Sequence, residues 1–130
     1  MKYSLIFLCC ALLAACADED TQLPPQYWQG VEIAVETRPN PPRLGVTEVL
    51  VSATRPGRVA EHSLLISLRM RDGDEWVQAI QDGRTGIYRR GVEMTEPGVQ
   101  TLFVQLQRLP DKKEQTVLRF PLTIPSNGQK

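Results

Sequence analysis

Thr101-Leu102-Phe103-Val104-Gln105-Leu106-Gln107 is the stretch whose reading decides the fold. Leu102, Val104 and Leu106 recur at every second residue, and Thr101, Gln105 and Gln107 fill positions between them. A period of two places the apolar set on one face of a β-strand and the polar set on the other. The alternation repeats on both sides of this stretch. Val31, Ile33 and Val35 alternate with Glu32 and Glu36, and Ile66, Leu68 and Met70 with Ser67, Arg69 and Arg71. Downstream, Leu118, Phe120, Leu122 and Ile124 alternate with Arg119, Pro121 and Thr123. Residues 46–53 read as a further strand of less regular phase. Residues 76–80 and 87–94 complete a set of seven.

Turn chemistry separates these runs. Pro39-Asn40-Pro41-Pro42 with Gly45, Pro56-Gly57, Asp72-Gly73-Asp74, Asp82-Gly83, Pro97-Gly98 and Pro110-Asp111 all fall between strands. Pro121 alone interrupts a run. A central strand would lose a ladder hydrogen bond there, so the last strand is expected at a sheet edge. No stretch after residue 16 patterns as an amphipathic helix. Seven short strands with frequent turns predict an all-β, immunoglobulin-like two-sheet β-sandwich. The Cys…Trp…Cys core of immunoglobulin domains proper is absent.

The N-terminus reads differently. Lys2 precedes an apolar run that ends in Leu13-Ala14-Ala15-Cys16. A charged start, a short apolar stretch and small residues make a secretory signal peptide. The last four residues resemble a bacterial lipobox, which implies that Cys16 becomes the lipidated first residue of the mature protein. The run is too short for a transmembrane helix, which needs about 20 apolar residues. Ala17, rather than Asp, follows the cysteine and points to the outer membrane, facing the periplasm. The expected organisation is a signal peptide at 1–15, a lipidated tether at 16–30, a sandwich at 31–125 and a polar tail at 126–130.

Composition narrows the function. Of 15 basic residues only Lys2 precedes Cys16, leaving 14 against 15 acidic residues and a formal charge of −1 on the mature chain. That balance argues against nucleic acid, which selects a basic face, and supplies no polybasic segment for an anionic membrane. All three cysteines, Cys9, Cys10 and Cys16, lie at or before the processing site. The mature domain therefore has no disulfide in a compartment that permits one.

The order of several short motifs resembles the YtkA-like domain family, to which FixH-like proteins are related. Arg38-Pro-Asn-Pro-Pro-Arg-Leu-Gly45 is similar to that family's Pro-rich entry with its closing Gly. A strand, Gly57-Arg-Val59, a strand ending in Met70, Gly86-Ile87-Tyr88 and Pro97-Gly98 follow in the family's order. The likeness spans roughly residues 31–124. It implies a small extracytoplasmic β-sandwich, similar in shape to CopC-type copper carriers, in the company of copper handling or respiratory oxidase assembly. The Met and His clusters of copper-binding members are not matched here.

Candidate chemistry is sparse. Thioethers suit Cu(I) and imidazole suits Cu(II), so His62, with Glu61 or Met70, is the candidate copper site. Met70 and Met94 otherwise share apolar faces and read as core. A single His and no Gly-x-Ser-x-Gly elbow give nucleophilic catalysis no footing, and no enzyme and no small-molecule substrate is expected. Tyr88, Arg89 and Arg90, with Arg84 nearby, form a candidate partner-binding patch, and Trp76 a candidate binding aromatic. The expected function is a lipid-anchored, non-enzymatic binding or assembly module of the envelope, with strand addition at the Pro121 edge as one route to a protein partner. The alternatives are a copper-handling accessory and a purely structural subunit of an envelope complex.

Overall fold

The computed structural model describes residues 23–126. The signal peptide, Cys16, the first part of the tether and the end of the tail lie outside the described residues. Ten strand segments run in chain order: β1 (Gln26–Trp28), β2 (Val31–Arg38), β3 (Gly45–Arg55), β4 (Val59–Ala60), β5 (Leu64–Arg69), β6 (Val77–Gln78), β7 (Ile80–Gln81), β8 (Ile87–Met94), β9 (Gly98–Arg108) and β10 (Gln115–Ile124). They form two antiparallel sheets: β1-β2-β3-β8-β7 with β4 paired to β3, and β10-β9-β5-β6. The protein is an all-β, immunoglobulin-like two-sheet sandwich, and no helix occurs among the described residues.

The period-two positions build the core. Val31, Ile33 and Val35 of β2, Ile66 and Leu68 of β5, Leu102, Val104 and Leu106 of β9, and Phe120, Leu122 and Ile124 of β10 are all buried. They interleave between the sheets as one cluster. Each such side chain contributes on the order of 1.5–3 kcal/mol by leaving water. β3 breaks the pattern for a physical reason. Leu50 points to the outer face yet is only 3% exposed, because Glu36 of β2 and Arg89 of β8 stand opposite it on either side. Their long side chains cover it, so apolar residues occupy both faces of mid-β3 and the alternation blurs.

Three segments depart from the expected seven strands. Gln26–Trp28, within the stretch read as tether, pairs with the start of β2. The two-residue turn Gln29-Gly30 joins them with positive φ at both positions, the geometry that matches strand twist in a hairpin. Val59–Ala60 folds back on the end of β3. Residues 76–80, read as one strand, divide between sheets: Val77–Gln78 pairs with β5, and Ile80–Gln81 with β8. Ala79 is buried at the crossover and its N–H donates to Ile66 O at 2.8 Å. A short strap thus closes one side of the sandwich.

β10 is an edge strand, as Pro121 predicts. Its ladder with β9 runs unbroken from Gln115 to Ile124, which requires the Pro121 nitrogen to face outward. Gly86 is needed where β8 begins. Its carbonyl accepts the Ala53 N–H at 2.8 Å, φ is +74°, and a Cβ would lie 2.6 Å from Ala53 O.

Candidate functional site

The outer face of the four-stranded sheet carries a transverse row of arginines and aromatics. Arg69 on β5 and Arg119 on β10 both stand opposite Phe103 on β9. Each guanidinium carbon lies 5.6 Å from the Phe103 ring centroid. Trp76, in the loop before β6, caps the row with its ring centroid 4.2 Å from the Arg69 guanidinium. The row exists because three neighbouring strands place these positions at one level on the outward face.

The two arginines are held differently. Arg69 is largely buried under Trp76, its Nη2 donates to Asp72 Oδ1 at 2.9 Å and its Nη1 to Asp74 O at 3.3 Å. Its Nε is buried without a partner. Asp72 and Asp74 therefore serve as the clamp of this arginine. Arg119 is exposed, and among the described residues its guanidinium meets no carboxylate and no hydrogen-bond acceptor. A guanidinium stacked on a ring uses its face for the ring and leaves its in-plane N–H groups available. Arg119 is thus a fork of free donors on a fixed base.

Within the strands beneath the row charge is one-sided, and the loops supply the carboxylates that answer Arg69 and Arg108. Strands β5, β6, β9 and β10 contain Arg69, Arg108 and Arg119, and no Lys, Asp or Glu. The same outward parity places Gln105, Gln107, Gln115, Thr101, Pro121 and Thr123 there, with exposed Val99 and Val117, half-buried Leu65 and buried Ser67. The strands of the other sheet carry Glu32, Glu36, Glu48 and Glu93 among their arginines.

The residues singled out from the sequence fall in several places. Trp76 belongs to the row. Tyr88 does not offer its ring to a partner: it is 2% exposed in the core, and its hydroxyl donates to Glu61 O at 3.1 Å. Burial foremost, and the nearby Glu61 carboxylate, push its pKa up against a backbone hydrogen bond at Leu64. Period two explains the correction, since Tyr88 shares the inward parity of Val92 and Met94. The Arg84, Arg89 and Arg90 patch is dispersed. Arg84 contacts His62, and Arg89 lies between Glu48 at 3.7 Å and Asp82 at 3.4 Å on the outer face of the other sheet. Arg90 has inward parity, opposite buried Val49. It reaches solvent because β7 covers β8 only at Tyr88 and Arg89 and leaves β8 from Arg90 onward at an open edge.

His62 and Met70 flank opposite ends of β5. At about 3.3 Å per residue the strand holds them roughly 20 Å or more apart, so the two do not converge on one ion. His62 is exposed, with Nε2 2.9 Å from Arg84 Nη2. Met70 is half-buried against the core and Met94 lies within it. Among the described residues no three His, Cys, Asp or Glu side chains form a metal-holding group. Cys16 lies outside the described residues.

Glu61, beside His62, is a buried carboxylate. Burial raises its pKa, but hydrogen bonds from the Ser63 hydroxyl and N–H, and the charges of Arg55 and Arg108, outweigh it and hold the group below its ordinary value. Arg55 Nε lies 3.4 Å from Oε2. It fastens the crossing from β4 to β5, and nothing about it faces a ligand.

Sequence reading missed Arg69, Phe103 and Arg119 as a site. They lie on three strands far apart in the chain, and only the register brings them level. The readable signal was the absence of acidic residues from 98–108 and 115–124. Comparison of the chain with protein-family models, with curated proteins and with solved structures gives no match.

Proposed function

We propose that this chain is a lipid-anchored, non-enzymatic envelope module of the YtkA-like type, and that it binds a partner protein through the outer face of its four-stranded sheet. The observation that carries the reading is the row Trp76–Arg69–Phe103–Arg119. Trp and Arg dominate the energetic centres of protein interfaces, and interface cores are depleted of Lys, Glu and Asp. The strands of this face have that composition, with uncharged Gln and Thr around the row and the Asp72 carboxylate at its Trp76 end. The motif order along residues 38–98 supports the family reading, and the lipobox at Cys16 supports the anchor.

Strand addition at an edge is the weaker route. Along β10, Pro121 has no N–H to offer, and Gln26 Nε2 already donates to Arg119 O at 2.6 Å. Along the open part of β8, the inward-placed Arg90 is the kind of charge that blocks edge pairing. With these two edges blunted, the outer face is the surface this reading takes for recognition.

A photo-crosslinking residue placed at Gln105, on this face, and separately at Ser52, on the opposite face, tests the reading in cells. The expected result is a discrete protein adduct from Gln105 that is absent from Ser52 and abolished by Phe103→Ala. Cys16→Ser should move the protein from the membrane fraction to the soluble fraction. Adducts equal from both faces, or a Cys16→Ser variant that still sediments with membranes, would overturn the corresponding half of the proposal.

A further inference from the structure

We infer that the partner presents an acidic polypeptide segment, whose carboxylates are received by the Arg119 guanidinium stacked on Phe103. The inference rests on the proposed binding face and adds the chemistry of what it binds. It starts from the charge map. The four strands of this sheet contain three arginines and no acidic residue, while the chain as a whole is balanced. Loop carboxylates answer two of these cations, Asp72 on Arg69 and Glu114 on Arg108. Among the described residues Arg119 is thus the arginine of this sheet left without one, and an unanswered cation selects an anionic partner.

The identity of the cation narrows the anion. Arginine presents a planar pair of donors that matches both oxygens of a carboxylate, an arrangement a lysine does not provide. Arg69 already shows an arginine on this ring answered by a carboxylate within the fold: stacked on Trp76 and Phe103, it donates through Nη2 to one oxygen of Asp72 at 2.9 Å and through Nη1 to the Asp74 carbonyl. Arg119 sits on the other side of the same ring at the same 5.6 Å, without the carboxylate. The inferred contact repeats on β10, with a partner residue, what Asp72 does on β5.

The surroundings favour a polypeptide over other anions. A sugar ring stacks on an open aromatic face, whereas the rings here are flanked by guanidinium groups. An anionic lipid surface attracts clustered Lys and Arg, and these strands hold no Lys. Gln105, Gln107 and Thr101 supply amide and hydroxyl groups suited to a peptide backbone. Val117 and Val99, both exposed, supply apolar contact beside the charge.

The test uses the full mature chain carrying Cys16→Ser, followed residue by residue through its amide NMR signals. It is titrated separately with deca-glutamate, deca-glutamine, inorganic triphosphate and phosphatidylglycerol vesicles. Deca-glutamate should shift amides around Arg69, Phe103, Gln105 and Arg119 and leave those of β2 and β3 in place. Its affinity should fall as salt rises, drop at least tenfold in Arg119→Gln, and hold in Arg58→Gln, an exposed arginine at the β3–β4 turn. Deca-glutamine should leave the spectrum unchanged. Three outcomes overturn the inference: no shift with deca-glutamate, equal affinity in Arg119→Gln, or tighter binding of triphosphate or vesicles at the same residues. If deca-glutamate fails while Gln105 still yields its adduct in cells, the face stands and the acidic partner falls.

Discussion

Glu61 is where a charge enters the interior. Its carboxylate is taken from water at the point where the chain leaves one sheet for the other, and Ser63 and Arg55 replace the lost hydration. Its pKa is lowered in the folded protein, so the unfolded chain takes up the proton first, near the ordinary glutamate value of about 4.3. The stabilisation is therefore present above that pH and is lost as pH falls through the lower, folded value. Glu61→Gln should cost about 1–2 kcal/mol at pH 7, the difference between charged and neutral hydrogen bonding. The deficit should shrink as pH falls below about 4.3 and through the lower, folded value, read as converging melting temperatures in a pH series. A constant deficit across that range would show that the carboxylate's charge does no stabilising. None of this was legible in Ala60-Glu-His-Ser63, which reads as a polar turn. The partner that makes burial tolerable, Arg55, is brought there by a hairpin whose geometry a linear sequence does not display.

At the scale of the element, legibility followed the number of buried faces. β2, β9 and β10 have one face in the core and the other turned outward to solvent, so their phase was readable residue by residue. β5 stayed readable because its outward positions, Ser67 and Arg69, are polar although largely covered. β3 is covered on both faces at Leu50, and its alternation is blurred in proportion. The strap through Val77–Gln81 changes sheets at Ala79, and no periodicity survives a change of sheet. The same distinction separates the two methionines. Met94 continues the inward parity of β8 and is 1% exposed, whereas Met70 lies past the end of β5 and is only half-buried. Met94→Ala should cost about 2–5 kcal/mol, the range for a buried methionine cut to alanine. Met70→Ala should cost less than half as much, since part of its thioether already meets water. Denaturant midpoints at unchanged m-value check this, and equal losses at the two sites would mean that Met70 is as fully packed as Met94. The binding row was the least legible feature. Trp76 could be singled out alone, but its alignment with Arg69, Phe103 and Arg119 is a property of strand register, set by contacts across the sheet.

For the whole molecule, a sandwich of two sheets has two lateral seams, and this chain closes them by different means. On one side the backbone crosses between sheets at Ala79. On the other, the seam between β1 and β10 is made by side chains. Gln26 Nε2 donates to Arg119 O, Arg108 donates to Gln29 Oε1 at 3.0 Å, and the Arg108 guanidinium lies 5.2 Å from the centroid of the Trp28 ring. Residues 26–29 thus belong to the folded unit, although their composition gave them to the tether. Three residues are too few to display a period, and Gln-Gly is a weaker turn signal than Asn-Gly. The seam also reaches the proposed site, because the Arg119 backbone is tied by Gln26 while its side chain serves the outer face. A chain beginning at Val31 should therefore fold with both sheets but lose about 2–4 kcal/mol relative to one beginning at Gln22, mainly the half-buried Trp28 and the β1–β2 ladder. Amide exchange should quicken along β10 around Arg119 and leave the Ala79 strap unchanged. Equal stability of the two chains would return residues 26–29 to the tether. Exchange quickened on both seams alike would mean that the sandwich opens as one unit and that β1 guards no particular side.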